Sequence, residues 1–124
     1  MKENLFGQLW NSNMPDTLKP EVHSFFDENT NAACYIVKDP SSSACAVIDS
    51  ILDFDLASGR TSTAHADMLI DVITSNQWTL EWVIETHVHA DHLSAAPYLA
   101  KKLGGKLAIG ANIESVQKVF GKIF

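Results

Sequence analysis

The 124-residue sequence predicts an α/β domain in which a mixed sheet carries helices on one face. Three observations predict it. Two short apolar runs, Ala32 to Lys38 and Ala44 to Asp49, flank the turn-forming Asp39-Pro40-Ser41-Ser42-Ser43 and so make a hairpin. An amphipathic stretch from Ala64 to Asn76 is followed by an apolar run from Trp78 to Thr86, a strand–helix–strand order that closes as a parallel crossover. A second helix and strand, from Ser94 to Ile109, repeat the alternation.

Residues 1–20 carry Leu5, Phe6, Leu9 and Trp10, then Asn, Ser and two prolines, and read as an N-terminal arm. Val22 to Asp27 is a candidate strand with His23 on its polar face. Both hairpin strands are apolar on successive residues (Cys34, Tyr35, Ile36, Val37; Ala46, Val47, Ile48), the pattern of a sheet covered on both faces. Asp49, polar at the end of a buried strand, either orients a metal ligand through a hydrogen bond or caps the following loop. Ile51 to Thr63 reads as a packed loop. Asp53 and Asp55 are interleaved there with Ile51, Leu52, Phe54 and Leu56 and lack the Gly and Glu positions of a calcium loop.

In the helix from Ala64, Met68, Leu69, Val72 and Ile73 form the expected buried stripe. Ser62 or Thr63 is its expected N-cap, Asp67 suits the dipole of its first turn, and His65 near its start is expected to be exposed. Pro97 is tolerated only in a first turn, which starts the next helix near Ser94, and Gly104-Gly105 stop it. Lys106 to Ile109 makes a further strand. Ile113, Val116, Gln117 and Phe120 mark a third helix.

The composition, 46% hydrophobic and 19% charged, is that of a globular domain, and one domain is the expectation at this length. A net charge of −6 argues against nucleic acid or an anionic membrane surface as partner. No stretch approaches the roughly 20 apolar residues that a membrane span needs. No secretory leader is visible in Met1 to Trp10, so the cytoplasm is the expected location. Cys34 and Cys45 lie in apolar runs without a C-x-x-C spacing and are expected to be buried free thiols.

The chemistry is concentrated in His87-Val88-His89-Ala90-Asp91-His92, which holds three of the five histidines. Imidazole and carboxylate are ligands that first-row metals select. On an extended backbone His87 and His89 project to one side and can reach one ion, while Asp91 and His92 can aim at a second ion or a bound water. His87, His89, Asp91 and His92 are therefore the candidate metal residues.

The stretch Thr86 to His92 resembles the H-x-H-x-D-H signature of the metallo-β-lactamase superfamily. The surrounding text, Val47 to Asp67 and Val83 to Gly110, resembles its persulfide dioxygenase and glyoxalase II-like branch, the former more closely. The resemblance runs from about Val22 onward and implies half of an αββα sandwich, with 21–124 as the N-terminal half of such a domain and the C-terminal half absent. It implies two chemistries. In a persulfide dioxygenase, one Fe(II) takes His87 plus a His and an Asp from the other half, and His89, Asp91 and His92 hold hydrogen bonds and water around it. The substrate is then glutathione persulfide and the products are sulfite and glutathione. In a glyoxalase II-like hydrolase, one or two Zn ions are held by His87, His89, Asp91 and His92, and the substrate is a glutathione thioester. Asp91 is the candidate catalytic carboxylate. A chain with half the ligands is expected to be weakly active or inactive alone, or a non-catalytic interaction module. Strands apolar on both faces, with Tyr35, Val37, Val47 and Ile84 left bare, predict a homo-oligomer or a complementing second half.

Overall fold

The computed structural model describes residues 15–123. Most of the expected N-terminal arm lies outside them. After a short 3-10 turn at Asp16–Leu18, the elements are β1 (Glu21–Asp27), β2 (Ala32–Lys38), β3 (Ala44–Ile48), β4 (Ile51–Asp55), β5 (Arg60–Ser62) and α1 (Ala64–Ser75). There follow β6 (Thr79–Glu85), β7 (Leu93–Ser94), α2 (Ala96–Leu103), β8 (Lys106–Ile109) and α3 (Ile113–Phe120).

The main sheet has the order β1-β2-β3-β6-β8. Its first three strands are antiparallel neighbours, while β3, β6 and β8 run parallel. The Asp39 carboxylate builds the β2–β3 turn by accepting bonds from the Ser41 and Ser42 hydroxyls and the Ser41 N–H. The parallel run is the crossover through α1 that the strand–helix–strand order requires. Strands that run parallel end at one edge, so the residues after β3, β6 and β8 gather there. That edge is where α/β sheets place their sites.

One face of the sheet is dry. Cys34 and Ile36 of β2, Cys45 and Val47 of β3, and Leu80 and Val83 of β6 pack under Ala66, Leu69 and Ile73 of α1 and Leu99 of α2. A bulge in β6 makes this possible: Cys45 pairs with Leu80 but the next residue, Ala46, pairs with Trp82, so Leu80 and Val83 both turn inward. In α1 the inward stripe is His65, Ala66, Leu69 and Ile73, and Met68 is 40% exposed. His65, expected at the surface, is buried, its backbone tied to Asp53 of β4.

The other face is not covered among the described residues. Val22, Phe26, Tyr35 and Trp82 are 57%, 61%, 36% and 41% exposed there. Val47 belongs to the opposite, buried face, which corrects its expected place among the bare residues. Successive apolar residues in β2 and β3 thus mean one face buried by the helices and one apolar face left open among the described residues.

Ile51 to Thr63 is a hairpin and not a loop. Asp53, Phe54 and Asp55 pair with Ser62, Thr61 and Arg60, and the same β4 pairs on its other side with β7 to make a second, three-stranded sheet. The Asp55 carboxylate shapes the turn by accepting bonds from the Ala57 N–H and the Ser58 hydroxyl, and Gly59 closes it at φ +69°. The cap of α1 also differs from expectation. Thr63 makes no side-chain cap, its hydroxyl going to Asp67, and the His65 N–H is met by Asp53 from β4 at 2.9 Å. The second helix begins two residues later than expected, at Ala96, where the Ser94 hydroxyl accepts the Ala96 N–H. Among the described residues no helix is long and apolar enough to cross a membrane.

Candidate metal centre

The H-V-H-A-D-H stretch is not strand. β6 ends at Glu85, and residues 86–92 form a loop at the parallel edge before the two-residue β7. The simple alternation that would place His87 and His89 on one side of a strand therefore does not operate. The loop folds so that the rings meet all the same: His87 and His89 are 4.1 Å apart between centroids, and His89 and His92 are 4.2 Å apart.

Asp49 holds this loop to the sheet. The residue adopts φ +54° directly after β3, which turns its side chain toward the end of β6. Asp is among the residues that tolerate this conformation. Its carboxylate accepts the Thr86 N–H and the Thr86 hydroxyl, both at 2.7 Å, and meets Nε2 of His89 at 2.9 Å. Burial pushes the Asp49 carboxyl up, but the bonds from Thr86 and His89 outweigh it and leave it below the usual carboxylate range. Of the two roles open to Asp49 in the sequence, the structure shows the one that orients a ring.

The hydrogen bonds also decide which ring nitrogens are bare. The single hydroxyl proton of Thr86 goes to Asp49, so Thr86 Oγ1 must accept from Nδ1 of His87 at 2.8 Å, leaving Nε2 of His87 with its lone pair outward. Nδ1 of His92 donates to the Leu93 carbonyl at 3.0 Å, which likewise leaves Nε2. His89 is held through Nε2 by Asp49 and by Glu85 at 3.2 Å, so its Nδ1 is the bare nitrogen and faces Asp91 at 3.8 Å. Glu85 is steadied in turn by the Ser94 hydroxyl. Imidazoles that ligate metals are oriented in this way, one nitrogen tied to a carboxylate or carbonyl and the other presented.

Two donor sets result, each with ligand atoms within 4.8 Å of one another: Asp49 with His87 and His89, and His89 with Asp91 and His92. The four sequence candidates thus fall into two groups that share His89, with His87 in one and Asp91 and His92 in the other. Glu85 and Thr86 were missed, since an acid and a hydroxyl at the end of an apolar run carry no distinctive pattern. His87 lines a cleft of about 510 Å³ with Val88, Ile109, Asn112 and Val116, while His89, Asp91 and His92 line a separate one of about 250 Å³. The thiols take no part. Both cysteines are free and buried, and burial together with the charges of Asp49 and Glu85 pushes the Cys34 thiol up to about 12.

The fold and the loop define an α/β domain built to present clustered imidazoles and carboxylates at a parallel strand edge. The chain belongs to the metallo-beta-lactamase superfamily, whose family model matches residues 29–123. It is 52% identical over 103 residues to a protein named "Probable metallo-hydrolase" from Burkholderia pseudomallei, covering 83% of this chain and 35% of that protein. It is 46% identical to a "Beta-lactamase hydrolase-like protein" of Agrobacterium fabrum, covering 82% of this chain and 23% of the relative. A "Glyoxylase B2" of Dictyostelium discoideum is 41% identical, with 86% and 37% covered. Among solved structures, ETHE1 from Myxococcus xanthus superimposes with a TM-score of 0.62 at 23% identity, covering 74% of this chain and 36% of that one, a likeness of fold. The chain therefore spans between about a quarter and just over a third of the curated relatives named here.

Proposed function

We propose that this chain supplies the metal-presenting part of a persulfide dioxygenase-type site, acting on glutathione persulfide with O2 to give sulfite. The observation that carries it is the division of the donors between two clefts. Only His87 lines the larger, mainly apolar one, whereas His89 is boxed between Asp49 and Glu85 on one side and Asp91 on the other. In this proposal His87 holds Fe(II) through Nε2, and a further His and Asp come from the part of the family domain that this chain does not span. One Fe(II) held by two imidazoles and a carboxylate supplies open positions for O2 and a sulfur ligand. The chain's own residues do the rest. Thr86 and Asp49 fix the His87 ring, His89 and Asp91 offer polar groups beside it, and the walls at Val88, Ile109 and Val116 offer apolar contact to a sulfur substrate.

One feature favours a zinc hydrolase of the glyoxalase II type instead: the bare nitrogens of His89 and His92 share their cleft with Asp91, as a second ion needs. The relatives named as hydrolases support the same alternative. Metal analysis of the purified chain, with sulfite release and thioester hydrolysis assayed beside it, separates them. The expected result is at most one ion at the H-V-H-A-D-H loop, iron when iron is supplied, and little turnover without the remaining ligands. Asp91→Asn is expected to keep that ion. Loss of one of two zinc ions in Asp91→Asn would establish the hydrolase, and unchanged metal content in His87→Ala would remove both.

A further inference from the structure

We propose that Asp27, Asp53 and His65 form a second cation site, selective for a divalent first-row metal with mixed nitrogen and oxygen preference. This goes beyond the function proposed above and shares no donor with the H-V-H-A-D-H loop. The three residues come from three elements: Asp27 ends β1, Asp53 is the central residue of β4, and His65 is the second residue of α1. Each offers a ligand atom, and these atoms lie within 4.8 Å of one another.

Two observations beyond the acidic pair point to a ligand. His65 is only 9% exposed, and its Nε2 is buried with no hydrogen-bond partner among the described residues. Native interiors rarely leave a polar atom in that condition, because desolvation is then uncompensated. The contact that brings His65 to Asp53 uses the backbone N–H, at 2.9 Å, so the ring itself is not spent on the fold. Asp27, 8% exposed, accepts the Thr30 N–H at 3.1 Å and the Thr30 hydroxyl at 2.6 Å, which fixes its carboxylate while leaving further lone pairs. The second observation is access. Asp27 and Asp53 line an open cleft of about 770 Å³, with Asp55 and Arg60 at its wall, so an ion can reach the two carboxylates from solvent.

The donor chemistry narrows the occupant. Calcium and magnesium favour all-oxygen shells, whereas one imidazole with two carboxylates suits zinc, manganese or iron. Bound there, the ion would tie the end of an edge strand to β4 and to the start of α1, a structural clip remote from the proposed chemistry.

The test is a Zn²⁺ titration of the full chain followed by long-range ¹H–¹⁵N spectra of the imidazole rings. The His65 ring nitrogens are expected to shift and to saturate with an equivalent of Zn²⁺ beyond that taken by the loop histidines. In the double variant Asp27→Asn, Asp53→Asn the His65 response is expected to weaken at least tenfold, while His87, His89 and His92 respond as before. A His65 ring unchanged with one equivalent of Zn²⁺ added beyond saturation of the loop histidines overturns the proposal, and so does a His65 shift that persists at full strength in the double variant. Should the variant not fold, the wild-type titration decides alone, by whether His65 responds. The loop histidines report separately in the same spectra, so failure of one site is not mistaken for failure of the other.

Discussion

Asp49 shows how much one side chain can settle. It meets three groups from a segment 37 to 40 residues away, and truncating it removes the acceptor of the Thr86 N–H and hydroxyl and leaves His89 Nε2 with Glu85 alone. The Thr86 donors are exposed and can turn to water, whereas the His89 ring is half-buried, so Asp49→Ala is expected to lower the unfolding free energy by about 1 kcal/mol, read as a lower urea midpoint. Removal of an outer hydrogen-bond partner typically weakens metal affinity about 10–100-fold, and the same variant should show such a loss at the loop site. Asp49→Asn, which keeps an acceptor for Thr86, should recover most of the stability. Equal stability of Asp49→Ala and wild type would mean that the loop holds itself without this anchor.

At the scale of elements, α1 is a helix whose local signals were right and whose tertiary surroundings altered their use. Its apolar period places Leu69 and Ile73 inward, and both are fully buried. Leu69→Ala removes a side chain that packs beneath the sheet and should cost about 2–5 kcal/mol in a denaturant titration, the range for a cavity that relaxes only in part. Met68→Ala, on a residue 40% exposed, should cost far less. A reversal of that order would place the helix on the sheet by its other side. The β4–β5 hairpin, by contrast, was not legible. Its residues mix Asp53 and Asp55 with Ile51, Leu52 and Phe54, and that mixture is resolved only by β4 lying between two partner strands.

For the whole molecule, two properties follow from charge and from the bare face. Hydrogen bonds from Ser42 and Ser41 hold the exposed Asp39 carboxyl down to about 2, and those from Ser58 and Tyr98 lower Asp55 and Asp67. Each of these groups is more acidic folded than unfolded. Their contribution is present above the ordinary value of 3.8 and is lost as pH falls through the folded values. Stability should therefore hold from neutrality down to about pH 5 and fall between about pH 4 and pH 2. A denaturation midpoint that rises over that interval would contradict the assignment. The apolar face of Val22, Phe26, Tyr35 and Trp82 leads to the second expectation. Burying such side chains in full is worth about 1.5–3 kcal/mol each, and a second copy of the chain would supply part of that by covering them. A two-fold dimer pairing like faces is expected by sedimentation at micromolar concentration, and Tyr35→Lys with Trp82→Lys should dissociate it. A monomer in the wild type would show that this face tolerates water or is covered from within the chain.

The sequence by itself determined the elements that depend on near neighbours. The Asp39 to Ser43 turn, the period of α1, the Gly104-Gly105 stop and the crowding of His87, His89, Asp91 and His92 are all patterns within about a dozen residues. The metal-binding class was legible for the same reason, since its donors are packed into one loop. Tertiary structure decided the rest. It replaced the extended backbone assumed for His87 and His89 by a folded loop, chose which nitrogen of each ring is bare, and buried His65 beside Asp27 and Asp53. Those outcomes rest on contacts such as Asp49 to Thr86 and Asp53 to His65, 37 and 12 residues apart. Sheet register sets such contacts, and register is fixed only when the strands pair and bury a common face.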